Sequence, residues 1–176
     1  MKQFTYALCL CCFPVLWTSC GKATLSSSEA NAILEQQYPQ VIGLPVYLGD
    51  PKTIAQIKAA GLDRAGYVVI RKKKPLGDTA AWLSFTAKAA PYLLTTPETE
   101  RRRHIQYVKA GEKLLETILE VNTPKPGNGA TVTYTTSIRV TPFGSVFNFK
   151  EGLLQQHTLS LIYADRHWHI KRREQR

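Results

Sequence analysis

Glu112-Lys113-Leu114-Leu115-Glu116-Thr117-Ile118-Leu119-Glu120-Val121 can be read in two ways, and the architecture turns on the choice. By propensity, its leucines, glutamates and lysine favour a helix. As a strand it places Leu115, Thr117, Leu119 and Val121 on one face, because side chains alternate across a strand. The loop that follows, 122–129, holds two prolines and two glycines and suits a hairpin into 130–141. There Val132, Tyr134, Thr136, Ile138 and Val140 alternate with Thr133, Thr135, Ser137 and Arg139. One face of that segment is buried and the other wet. It is the clearest strand in the chain, and it favours the strand reading of 112–121. The helix stays the alternative.

Working toward the C-terminus, Thr141-Pro142-Phe143-Gly144 is a turn, and 156–163 and 167–172 form a hairpin about Asp165-Arg166. A two-residue turn there pairs Ala164 with His167, Tyr163 with Trp168, Ile162 with His169 and Leu161 with Ile170. Upstream, 104–109 is a short strand and 95–103 a polar linker. Thr86 caps a short helix over 87–93, with Pro91 inside it. The segments 67–71 and 80–85 make a hairpin with a basic tip. Asp50 as N-cap and Pro51 at the first helical position start a helix that ends at Gly61, with Ile54 and Ile57 inward. Residues 41–48 are extended. Ser28 caps a helix over 29–38 that Pro39 ends. The expected fold is α+β: a helix-rich part over 29–96, then a small antiparallel β-meander over 97–176.

The helix that closes on Ala60-Gly61-Leu62, the hairpin and Ser84-Phe85-Thr86-Ala87-Lys88 make 43–94 resemble a winged-helix module. In such modules the helix over 51–60, here with Lys52 and Lys58, and the wing at Lys72, Lys73 and Lys74 touch DNA. The N-terminus argues against that use. Lys2 is followed by an apolar run from Phe4 to Trp17, interrupted by Pro14, then by Thr18, Ser19 and Cys20. A charged start, a short apolar stretch and a small-residue cleavage site describe an export signal. The run is shorter than the ~20 residues that span a bilayer. Leu16-Trp17-Thr18-Ser19-Cys20-Gly21 resembles the lipobox of bacterial lipoproteins, with Trp17 where that family usually has leucine. The resemblance implies cleavage after residue 19, diacylglycerol on Cys20 and a tether over 20–28. Gly21, where aspartate commonly retains such proteins at the inner membrane, implies the periplasmic leaflet of the outer membrane.

All four cysteines, Cys9, Cys11, Cys12 and Cys20, fall in the first twenty residues. A processed chain keeps only Cys20, so no disulfide or thiol chemistry is expected of the domain. The formal charge is +10, and removal of Lys2 with the signal leaves +9. The excess gathers at Arg71, Lys72, Lys73 and Lys74, at Arg101, Arg102 and Arg103, and at Lys171, Arg172, Arg173 and Arg176. In an exported, tethered protein these runs face lipid headgroups, envelope polymers or an acidic protein partner, rather than nucleic acid.

His167 and His169 lie two apart on one strand face, a spacing that can hold zinc or copper. The hairpin register puts no carboxylate opposite them, and Lys171 beside them disfavours a cation. Gly-x-Ser-x-Gly does not occur, and no Ser-x-x-Lys lies downstream of Lys22. Glu98 with Glu100 and Glu112 with Glu116 are ordinary surface pairs, and Gly127-Asn128-Gly129 is a turn. No cofactor is expected. The leading expectation is a non-enzymatic, membrane-anchored binding or structural module with a basic surface. The alternatives are an immunity or inhibitor lipoprotein that blocks a toxin or envelope hydrolase, and a metal-binding or hydrolytic protein using His167 and His169.

Overall fold

A computed structural model describes residues 23–73, 75, 77–125 and 127–171. In chain order the elements are helix α1 (Ser27–Glu35), strand β1 (Gln40–Tyr47), helix α2 (Pro51–Ala59), strands β2 (Val68–Ile70) and β3 (Leu83–Phe85), helix α3 (Glu98–Arg102), and strands β4 (Ile105–Lys125), β5 (Gly129–Val140), β6 (Gln155–Ala164) and β7 (His167–Ile170). Two 3-10 turns, Ala87–Tyr92 and Pro142–Phe147, complete the set. One antiparallel sheet has the order β1-β4-β5-β6-β7, and β2 pairs with β3 apart from it. The main sheet curls into a half-barrel.

The stretch 112–121 is strand, inside a single β4 of 21 residues. Its face is not the alternating one. The register with β5 runs Leu115 to Thr136, Thr117 to Thr135, Ile118 to Tyr134, Glu120 to Thr133 and Val121 to Val132, so it skips Glu116 and Leu119. These are β-bulges, each inserting one residue and sharpening the local twist. They turn Leu115, Ile118 and Val121 onto the core, while Leu119 is 53% exposed. A helix-like spacing of apolar residues is thereby buried by a strand, and the added twist helps the sheet curl.

The expected series of a winged-helix-like part and a small meander is not what the chain forms; the molecule is mostly antiparallel sheet. Inside the supposed helical part, β1 is an edge strand of the main sheet, paired with β4 from Gln40–Lys113 to Tyr47–Ile105. α1 packs with Val132, Tyr134 and Leu161, near the other end of β4. The wing-like pair β2–β3 has three residue pairs. Residues 87–92 make a 3-10 turn containing Pro91 rather than a closing α-helix, since proline lacks the N–H that continues one. The expected linker carries α3.

Two cores result. α1 begins with a capping box, in which Ser26 accepts from the Glu29 N–H and Glu29 accepts from Ser26. It buries Ala30 and Leu34 against Ala130, Val132, Tyr134 and Leu161. The second core gathers Val46, Ile57, Leu62, Val68, Leu83, Val108 and Val146 around Phe143. Tyr67, Phe85 and Tyr92 surround the Phe143 ring with centroids 5.8–5.9 Å away. Gly144 is required beside it: a Cβ there would lie 2.3 Å from the Ala110 carbonyl oxygen.

Candidate partner interface

Both ends of β4 matter. At its C-terminal end, the Ala23 carbonyl accepts the Gly127 N–H at 2.8 Å, and the Leu25 N–H reaches Thr123 Oγ1 at 3.4 Å. The first described residue is thus pinned to the β4–β5 turn. Cys20 lies outside the described residues. In sequence, two residues, Gly21 and Lys22, separate it from Ala23.

At the N-terminal end of β4, backbone hydrogen bonds link the two expected basic stretches. His104 N–H donates to Arg101 O, Leu48 N–H to His104 O, Leu83 N–H to Leu48 O, and Arg71 N–H to Trp82 O. Arg71, Lys72 and Lys73 therefore share an end of the molecule with Arg101, Arg102 and Arg103. Lys74 lies outside the described residues. Arg101, Arg102 and Arg103 are paired locally: Glu98 is shared by Arg101 and Arg102, the latter at 3.3 Å, and Glu100 lies 3.8 Å from Arg103. Arg71 is held by Asp78 at 3.0 Å. Such exposed pairs add about 0–1 kcal/mol each, so they shape the field more than the stability.

The concave feature at this end is a recess of about 630 Å³ lined by Lys58, Asp63, Val68, Val69, Ile70, Arg71 and Lys72. Three cations face it. Asp63 Oδ1 is buried, and no hydrogen-bond partner reaches it among the described residues. A buried acceptor without a partner costs ~1–3 kcal/mol, a penalty that a donor from outside would relieve. Val69, 53% exposed, supplies apolar surface. Sequence reasoning singled out Arg71 and Lys72 here, noted Lys58 only as a helix cation, and missed Asp63 and Val69. Asp63 follows the helix stop at Gly61, where nothing in the sequence marks a carboxylate for burial.

The β6–β7 hairpin has the register expected of it, with Asp165 and Arg166 both at positive φ (51° and 65°) in the two-residue turn. His167 and His169 are exposed, on the face shared with Ile162. His167 Nδ1 lies 2.8 Å from the Asp165 carbonyl. Among the described residues no three His, Cys, Asp or Glu side chains are grouped to hold a metal ion. His157, on β6, sits apart from that pair: its Nε2 is 2.9 Å from Thr136 Oγ1, and its ring is 5.4 Å from Tyr134. Burial, and then the Lys113 charge, hold this imidazole below its usual range. Tyr134 also meets Tyr38, hydroxyl to hydroxyl at 3.2 Å, and burial pushes the Tyr38 phenol up.

Glu112 is held by Lys109 and lies 3.5 Å from Arg139, and Glu116 accepts from the Ser137 hydroxyl. The two glutamates are committed to different partners. No helix among the described residues is long and apolar enough to cross a membrane. No family model, curated protein or solved structure was found to match the chain.

Proposed function

We propose that this protein is a lipid-anchored, non-enzymatic binding module of a bacterial envelope, tethered through Cys20 and presenting the basic recess to an acidic protein partner. One observation carries the reading. The chain leaves the lipobox-like stretch at the β4–β5 turn, while Lys58, Arg71 and Lys72 gather at the other end of β4. A strand of this length extends at most about 70 Å, so anchor and recess are held apart by a rigid element rather than by a loose linker. The +9 charge of the processed chain favours association with an acidic surface, and speeds it most at low salt.

The narrower form of the reading is an immunity or inhibitor lipoprotein whose partner is an acidic toxin or envelope hydrolase. The recess supports it: three cations beside an unfilled carboxylate oxygen suit a partner offering carboxylates and one N–H donor.

Photo-crosslinking in the native host tests the proposal. A photoreactive residue at Val69 should capture a discrete protein, while the same probe at exposed Leu119 should not. Reversal of Lys58, Arg71 and Lys72 to glutamate should abolish the capture. Equal capture from both positions, or indifference to charge reversal, would contradict it.

A further inference from the structure

A second recess lies at the anchored end. It has a volume of about 330 Å³, and Lys125, Asn128, Thr131, Ser160, Ile162 and Lys171 are among its lining residues. Its walls come from two places that the sheet brings together. Lys125 closes β4 and Asn128 sits in the turn, with the Asn128 N–H donated to the Lys125 carbonyl. Thr131 of β5 is paired directly with Ser160 of β6, and the Lys171 N–H bonds Ser160 O at 2.9 Å. Two lysines separated by 46 positions in sequence thus border one concavity. No carboxylate is among its lining residues, and neither lysine has an ion-pair partner among the described residues. The side chains around them are neutral donors: an amide and two hydroxyls. Ile162, 39% exposed, adds an apolar wall.

The chain itself says what this recess faces. Gly127, between Lys125 and Asn128, is the residue that holds Ala23. In sequence, Lys22 precedes Ala23, and Arg172 and Arg173 follow Lys171. We propose that the recess seats the phosphate of an anionic phospholipid headgroup in the membrane that holds Cys20. Two ammonium groups, an amide and hydroxyls match a phosphate diester, and Ile162 meets the glyceryl carbons. The headgroup is a second point of attachment. An acyl anchor alone leaves a domain free to tumble about its tether; a second contact at Lys125 and Lys171 fixes β4 upright and keeps the distal recess turned away from the bilayer.

This inference rests on the anchoring of Cys20, and the test separates the two. The full lipoprotein, purified from membranes, is reconstituted in phosphatidylcholine vesicles with or without phosphatidylglycerol. A processed chain has no free thiol, so Asn122→Cys reports the anchored end and Thr99→Cys the distal end. Each carries a fluorophore quenched by a headgroup spin label. Quenching at 122 should rise when phosphatidylglycerol is present, and quenching at 99 should stay low in both vesicles. The pair Lys125→Glu and Lys171→Glu should lower the membrane-contacting population by on the order of tenfold. Equal quenching at 122 in both vesicles, or unchanged quenching in the double variant, would overturn the proposal. Loss of the response to inorganic phosphate in the buffer would reassign the recess to a soluble phosphate and also overturn it. Protein that does not stay with either vesicle has no anchor, and that result removes the reading on which the inference stands.

Discussion

The two ends of the sheet bury their apolar residues by different means. Near the β4–β5 turn, α1 packs on the curled sheet, and Ala30 and Leu34 share the load with Val132, Tyr134 and Leu161. At the far end Phe143, fully buried on a 3-10 turn, is plugged into a ring of Tyr67, Phe85 and Tyr92. The strands beside it, β2 and β3, have three residues each. One core is closed by a helix laid on the sheet, the other by an aromatic side chain set at the centre of its cluster. The distal recess is built on α2, the turn after it, and β2 with the two residues that follow, beside that cluster.

The contrast can be broken from either side. Phe143→Ala should have the largest effect, a loss of about 3–5 kcal/mol in urea unfolding. Amide exchange should then rise more over 83–93 than in α1. An equal rise in α1 would show that the two cores open as one unit. Leu34→Ala removes a fully buried side chain from the other core and should cost about 3 kcal/mol, with the greater rise in α1. Ser26→Ala deletes half of the capping box and should cost about 1 kcal/mol by the same measurement, leaving β2 and β3 untouched.

The smallest expected effect is a pH dependence near the core that α1 covers. His157 is held below its usual pKa of 6.5 by burial first and Lys113 second, so the folded state favours the neutral ring. The unfolded chain binds the proton more readily. The resulting stability is present above about pH 6.5 and is lost as pH falls through the lower folded value. His157→Gln should flatten the decline of the unfolding midpoint just below pH 6.5, and an unchanged slope would remove His157 from that role.

Much of the local structure was legible in the residues. Asp50-Pro51 starts α2, the alternation of 132–140 lies within β5, and Asp165-Arg166 makes the turn with the expected pairing. Each is settled by neighbours in sequence. What failed depends on partners far along the chain. Strict alternation puts Leu119 on one face with Leu115, Thr117 and Val121; the bulges at Glu116 and Leu119 turn Ile118 to the core beside Leu115 and Val121 instead, and only the register with β5 decides that. The winged-helix grouping failed for the same reason. Residues 43–94 hold a helix and a hairpin at plausible spacing, yet they bury their apolar faces against Phe143, contributed from beyond the segment. At the distal site the lysine and arginine run was visible as composition. The pairing of Arg71 with Asp78 and of the arginines at 101–103 with Glu98 and Glu100, and the burial of Asp63, required the fold.

On the proposed function, Cys20 ties one end of the sheet to a membrane and the basic recess stands at the other. The most direct measurement is the mass of the N-terminal peptide of protein extracted from the native membrane. The account predicts a peptide that begins at Cys20 and carries diacylglycerol on sulfur and an acyl chain on the amino group. A chain that retains residues 1–19, or begins elsewhere with an unmodified Cys20, would contradict it.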